Sequence, residues 1–182
     1  MRRLAVVSAV LLSACASSQG PSVAPQPDQT VRVMSGTASS TTTMSIVPTD
    51  DPSQRVMSAP VARVWNALPA VFDSLGLPIT DRNIEARTLG TSSMKLRHRL
   101  GNTALSKYMD CGSTQGSSSA DLYDVLLTFT AQLVPSGDST AVTTRMNALA
   151  RPTFVSGEYV NCGSTRALEK RFFDLLNAEV RR

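Results

Sequence analysis

Histidine, aromatic residues and long apolar runs are all scarce in this 182-residue chain. It has one histidine and 5% aromatic residues, and its three cysteines form no Cys-x-x-Cys pair. Structural zinc normally needs about four cysteine or histidine ligands, so these counts argue against a zinc-centred fold. A helix that spans a bilayer needs about 20 mostly apolar residues, and no run in the chain is that long. The sequence therefore predicts neither a metal-centred fold nor a transmembrane helix.

Net charge is also low once the first residues are set aside. The chain has 18 Lys and Arg against 14 Asp and Glu, which gives a formal net charge of +4. Two of the cations are Arg2 and Arg3, so residues 15–182 keep 16 against 14, a net charge of +2. This small excess argues against nucleic acid as a partner.

The first 15 residues are organised like an export signal. Two arginines precede the apolar run Leu4–Leu12, and the run leads into Leu12-Ser13-Ala14-Cys15. Such a short core flanked by small residues is typical of a cleaved signal. The segment resembles the bacterial lipobox, which implies that Cys15 is acylated and that Ala16 directs the protein to the outer membrane. The alternative is an ordinary secretory signal that contains a cysteine.

The sequence predicts three parts along the chain. Residues 1–14 are the signal peptide, residues 15–29 are a disordered tether, and residues 30–182 are a single domain. The tether is rich in Ser, Pro, Gln and Ala, so it buries too little apolar surface to offset its ordering entropy. Fully extended, its residues reach roughly 45 Å. The remaining length is ample for one domain and short for two.

Two cysteines, Cys111 and Cys162, belong to the predicted domain, and each opens the tetrapeptide Cys-Gly-Ser-Thr. An even pair in an oxidising compartment indicates a disulfide. Two buried free thiols, a metal site and a redox pair are the alternatives.

Apolar spacing predicts two long helices. The first spans Pro60–Leu75, where apolar residues recur every three or four positions, and it stops at Gly76. Pro69 inside it removes a helical hydrogen bond and predicts a kink. The last helix spans about 166–180, with Ser164 or Thr165 as its N-cap.

Alternation of apolar and polar residues predicts a set of strands, and Pro135–Asp138 forms the loop between the last two. Their ranges are Thr30–Ser35, Thr41–Val47, Ile79–Asn83, Arg87–Arg99, Leu105–Asp110, Leu122–Val134 and Ser139–Ala150. Together the elements predict an α+β fold. An antiparallel sheet of about five to seven strands carries one helix from the N-terminal half and a long C-terminal helix packed on one face.

This order resembles the helix-grip arrangement and, among lipoproteins, the BamC-like (NlpB) accessory components of outer-membrane protein assembly. Besides the lipobox, the resemblance rests on Val64-Trp65-x-x-Leu68 with Leu75-Gly76-Leu77, and on Cys162-Gly163-Ser164-Thr165-x-x-Leu168-Glu169. It covers about residues 56–180. That family usually has two such domains where this chain has one, so its partner contacts correspond to no position here.

No group of residues forms a catalytic motif. His98 is the single histidine, and its neighbours Lys95, Arg97 and Arg99 weaken it as a general base. No Gly-x-Ser-x-Gly motif is present, and the acidic residues are scattered. We therefore expect a protein that is not an enzyme, with a hydrolase as the alternative. Trp65 is predicted to be a core residue, with ligand stacking as its alternative.

Cations are concentrated in one predicted strand. If Lys95, Arg97 and Arg99 alternate on one face, they form a positive stripe that can bind lipid phosphates or an anionic glycan. The alternative is an ordinary solvated face.

The sequence as a whole predicts a non-enzymatic outer-membrane lipoprotein. It contacts the membrane through acylated Cys15, needs no cofactor, and faces the periplasm as an accessory or docking module for another envelope protein. The alternative is a carrier for a lipid or another apolar or anionic small ligand, held in a groove between helix and sheet.

Overall fold

The computed structural model describes residues 29–32, 43–46, 51–153 and 158–182. The predicted signal peptide, Cys15 and all but the last residue of the predicted tether lie outside these ranges. The helices are α1 Val61–Leu75, α2 Ser119–Leu122 and α3 Ala167–Val180, with a 3-10 turn at Leu105–Lys107.

The strands of the described residues are numbered in chain order. They are β1 Gln29–Arg32, β2 Thr43–Ile46, β3 Ser53–Met57, β4 Asp81–Asn83, β5 Thr88–Arg97, β6 Arg99–Leu100, β7 Thr103–Ala104, β8 Met109–Asp110, β9 Ser113–Thr114, β10 Ser117–Ser118, β11 Asp124–Ser136, β12 Ser139–Arg151 and β13 Val160–Ser164.

One antiparallel sheet organises the molecule. Its strands follow the order β7-β6-β5-β11-β12-β13-β8, while β4 pairs with β5 and β3 pairs with β12. Two small antiparallel pairs, β1 with β2 and β9 with β10, are not hydrogen-bonded to it. The predicted α+β class, with an antiparallel sheet and a C-terminal helix, is confirmed.

The long hairpin of β11 and β12 forms the centre of the sheet. The two strands pair from Asp124 opposite Arg151 to Ser136 opposite Ser139. Two residues turn the chain, and the first, Gly137, has φ 60°, a conformation that glycine adopts without strain. Buried and more exposed residues alternate along both strands, so the hairpin has one core face and one open face.

Helices α1 and α3 pack on each other and cover the core face. Four fully buried phenylalanines fill the space between these helices and the sheet: Phe72, Phe129, Phe172 and Phe173. The ring of Phe172 lies 5.4 Å from that of Phe129, 5.9 Å from that of Phe72 and 5.5 Å from that of Phe173. Edge-to-face and tilted contacts at these distances favour aromatic pairs.

Helix α1 ends at Leu75, as predicted, and contains Pro69. It begins at Val61, one residue after the predicted start. Gly76 ends it with φ 70°, its amide bonds the Asp73 carbonyl, and the Leu77 amide bonds the Phe72 carbonyl. This left-handed cap is the conformation in which glycine is favoured. No helix among the described residues combines the length and apolar character needed to cross a membrane.

Several local features differ from the predicted pattern, and one is the hairpin loop, which is Gly137 and Asp138 and not Pro135–Asp138, because Pro135 and Ser136 still pair within the hairpin. The pattern predicts no strand at β3 or at β13. Each strand is only five residues long, and β3 has a single buried residue, so neither has an apolar alternation long enough to recognise. The strand predicted to reach Arg99 ends at Arg97, because His98 turns the chain with φ 65°. The first half of the strand predicted over Leu105–Asp110, Leu105–Lys107, is the 3-10 turn, and only Met109–Asp110 is a strand, β8.

Candidate functional site

The open face of the sheet is the first of two candidate surfaces. The helices lie on the opposite face, so the side chains that alternate with the core residues point away from them. Two valines on this face, Val56 and Val134, are 63% and 50% exposed. Both pair in register with Ala141, so they lie in one apolar row across β3, β12 and β11.

Three cations gather at the other end of this face, and we call Lys95, Arg97 and Arg151 the basic patch. Register explains their proximity: Arg97 lies opposite Asp124, and Asp124 lies opposite Arg151. Lys95 is two residues from Arg97 on the same strand, and alternate residues of a strand share a face. Three separate sequence positions therefore meet on one surface.

The charges of the basic patch are only partly balanced. Arg97 forms an ion pair of 3.0 Å with Asp124, and both side chains are about half exposed. The guanidinium of Arg151 lies 4.9 Å from the ring centroid of Tyr159. Exposed ion pairs stabilise a fold little, usually by about 0–1 kcal/mol. One carboxylate among three cations leaves the patch positive.

The predicted stripe of Lys95, Arg97 and Arg99 is interrupted by the turn at His98. Lys95 and Arg97 lie on β5, while Arg99 begins β6 beyond the turn and pairs back on Arg97. His98 itself is exposed, and its Nδ1 bonds the carbonyl of Asp121. Anion binding by the three cations stays a prediction.

The two domain cysteines are joined. Cys111 and Cys162 form a disulfide with an S–S distance of 2.03 Å, and both are buried. The bond lies beside the pairing of β8 with β13. The two Cys-Gly-Ser-Thr copies have different surroundings: Thr114 bonds the hydroxyls of Ser119 and Tyr123, while the later copy leads into α3.

A groove between β3 and the first turns of α3 is the second candidate surface, and we call it the α3 groove. Its volume is about 620 Å³, and it is lined by Ser53, Gln54, Arg55, Thr165, Arg166, Ala167, Glu169, Lys170 and Phe173. Three of these residues are cations and one, Glu169, is a buried acid.

Two exposed carboxylates, Asp81 and Asp174, have a lowered pKa. Hydrogen bonds from the hydroxyls of Ser92 and Thr80 lower the pKa of Asp81. A hydrogen bond from Lys170 lowers the pKa of Asp174, and the charges of Lys170 and Arg55 add to the effect. Within the described ranges, no three His, Cys, Asp or Glu side chains are placed to hold a metal ion.

The sequence pattern predicts two of the three residues of the basic patch and does not predict the α3 groove. It singles out Lys95 and Arg97 but not Arg151, which becomes visible only from hairpin register. Counting back from Ser136 opposite Ser139 places Arg151 opposite Asp124. The α3 groove has no such signal, because one of its walls is β3, which the pattern does not predict.

Comparison with known proteins adds little. No family model matches the chain, and no curated protein matches it. Among solved structures, the chain is similar to a conserved protein from Geobacillus kaustophilus. The two share 12% identity and a TM-score of 0.38, over 71% of this chain and 93% of the other. A likeness this weak indicates nothing about function.

Proposed function

We propose that this protein is an outer-membrane lipoprotein that docks on another envelope protein and is not an enzyme. In this proposal acylated Cys15 holds the chain on the membrane, and the domain faces the periplasm at the end of the tether. A lipid chain contributes about 0.8 kcal/mol per buried methylene, so several chains on one cysteine anchor a domain without a spanning helix.

The observation that carries the docking proposal is the open face of the sheet. Among the described residues, helices α1 and α3 cover the other face, and the open one combines the basic patch with the exposed row of Val56 and Val134. Such a mixture of cations and apolar side chains suits a partner surface that is acidic at one end and apolar at the other. The partner we expect is therefore an acidic protein surface.

The carrier alternative stays a prediction. The resemblance to helix-grip lipoproteins, which is more specific than the α+β class, also stays a prediction. A carrier of apolar ligands needs free volume between helix and sheet. The rings of Phe72, Phe129 and Phe172 fill the interior between the helices and the hairpin and contact one another, and the α3 groove outside it is lined mostly by polar and charged residues. We therefore rank docking first.

The anchor is tested by Cys15→Ser. We expect the variant to keep its leader and to be lost from the outer-membrane fraction, because the acylated thiol is the proposed anchor and the signal for outer-membrane delivery. Fractionation and mass spectrometry of the intact chain report both effects. Recovery of the serine variant with membranes, its leader removed as before, contradicts the proposal.

Docking is tested with two double variants in cells that make the anchored protein. Lys95→Gln with Arg151→Gln removes two charges from the basic patch, and Arg63→Gln with Arg181→Gln removes two exposed charges from the helical side. After in vivo crosslinking, we expect the first pair to reduce recovery of a defined partner about tenfold and the second to leave it unchanged. Equal recovery from both pairs, or no defined partner of the wild type, overturns docking through this face.

A further inference from the structure

The α3 groove has cations along both of its walls. Arg166 donates hydrogen bonds to the Asp51 carbonyl and, at 3.1 Å, to the hydroxyl of Ser53, so it joins the helix to the strand. Arg55 on the strand lies 5.0 Å from the ring centroid of Phe173. Lys170 on the helix bonds Asp174 at 2.6 Å. Asp174 also lies 3.9 Å from Arg55, so it pairs with both cations and partly balances their charge, and the charged ends of Arg55 and Lys170 lie at the surface.

A buried acid lies among these cations. Glu169 is only 2% exposed, and its Oε1 accepts a hydrogen bond of 2.6 Å from Ser164. Its other oxygen, Oε2, is buried and has no hydrogen-bond partner among the described residues. Buried polar atoms are nearly always paired, because an unpaired one loses its water without replacement. Oε2 of Glu169 therefore lacks the hydrogen-bond donor that a buried carboxylate oxygen normally has.

Neither a simple anion nor a simple cation satisfies the whole groove. Arg55, Arg166 and Lys170 attract an anion, and the amino end of the 14-residue helix α3 adds to that attraction. Glu169 requires a hydrogen-bond donor and repels an anion at its own position. A molecule that has an ammonium at one end and an anionic group at the other satisfies both requirements.

We propose that the α3 groove binds a small zwitterion. The ammonium of this molecule donates to Oε2 of Glu169, and its carboxylate or phosphate binds Arg55 and Lys170. Because Oε2 is closed to water, the ammonium reaches it after a lining side chain changes rotamer. The groove volume of about 620 Å³ suits a ligand of the size of a dipeptide. This site is independent of docking through the open face.

Two sources supply this chemistry: a short peptide with free ends, and the phosphoethanolamine head group of a lipid. Calorimetry on the full chain in detergent distinguishes them. One arm titrates alanyl-alanine, its N-acetyl form and its C-terminal amide, and the other titrates phosphoethanolamine. We expect at least one of the two zwitterions to bind. For a peptide ligand, blocking either end weakens binding at least tenfold, and tighter binding of phosphoethanolamine assigns the head group instead.

Variants then assign the two ends. We expect Glu169→Gln to abolish the preference for a free ammonium, and Arg55→Gln to weaken binding of the zwitterion at least tenfold. Lys95→Gln, which changes the open face, leaves binding unchanged and serves as the control. Arg55 is exposed, so its variant tests the proposal even if Glu169→Gln fails to fold.

Three results overturn the proposal. They are no binding of either zwitterion at concentrations up to about 10 mM, equal binding of the blocked and free peptides with no binding of phosphoethanolamine, and unchanged binding by Arg55→Gln. None of them bears on the partner of the open face, so failure here and failure of docking are separate outcomes.

Discussion

At the scale of single residues, Asp174 shows how neighbouring side chains lower the pKa of an exposed carboxylate. Asp174 lies on α3 within 3.9 Å of Arg55 on β3 and 2.6 Å of Lys170 one helical turn earlier. The hydrogen bond from Lys170 is the largest cause of its lowered pKa. A carboxylate with a lowered pKa in the folded state stabilises the fold above its unfolded pKa, and that contribution is lost as pH falls through the folded pKa.

Removal of the lysine tests this account. We expect Lys170→Met to raise the pKa of Asp174 toward its ordinary value, because methionine is of similar length but supplies neither the hydrogen bond nor the charge. Acid unfolding of the variant should then depend less on Asp174, over the range between the folded pKa and the ordinary one. Carbon-detected NMR titration measures the pKa, with Asp81 as the internal control, since Ser92 and Thr80 are untouched. An unmoved Asp174 contradicts the assignment.

At the scale of elements, aromatic contacts hold helices α1 and α3 against the hairpin of β11 and β12. Phe172 contacts three other rings and comes from α3, while Phe129 comes from β11 and Phe72 from α1. One side chain therefore joins three elements. Truncation of a fully buried phenylalanine typically costs about 3–5 kcal/mol, because contacts are lost and a cavity remains.

We expect Phe172→Ala to lower the free energy of unfolding by about 3–5 kcal/mol. Val134→Ala on the open face is the matched control and should change it by less than about 0.5 kcal/mol. Urea unfolding followed by circular dichroism measures both. A loss below about 1 kcal/mol for Phe172→Ala would show that the ring cluster does not join the elements.

Elements with strong periodicity could be predicted from the sequence, and those defined by tertiary pairing could not. Helices α1 and α3 and the hairpin of β11 and β12 have long regular patterns. Strands β3 and β13 do not, because a five-residue segment gains its structure from the strands that pair with it. The same limit explains the sites: Lys95 and Arg97 share a strand, whereas Arg55 and Glu169 meet only in the folded chain.

The whole molecule depends on one covalent bond for part of its stability. The disulfide of Cys111 and Cys162 closes a loop with a sequence separation of 51 residues. In the chain-entropy model such a loop destabilises the unfolded state by about 4 kcal/mol. The loop includes the whole of β11 and β12, so the constraint acts on the centre of the sheet.

We expect Cys111→Ala with Cys162→Ala to lose about 4 kcal/mol of unfolding free energy relative to the oxidised wild type. Urea unfolding measures this loss with and without reductant. Reductant should destabilise the wild type and leave the double variant unchanged, and Cys15 is kept in both. Equal stability of the oxidised wild type and the variant contradicts the constraint.

The same bond has a mechanical consequence. A pull between the two ends of the chain travels through the linked sulfur atoms and bypasses the segment between them, which has a sequence separation of 51. At about 3.4 Å per extended residue, roughly 170 Å of contour length stays out of reach of the force. The longest strands can therefore be stretched only after reduction, and a single-molecule tether should lengthen by that amount when thiol is added.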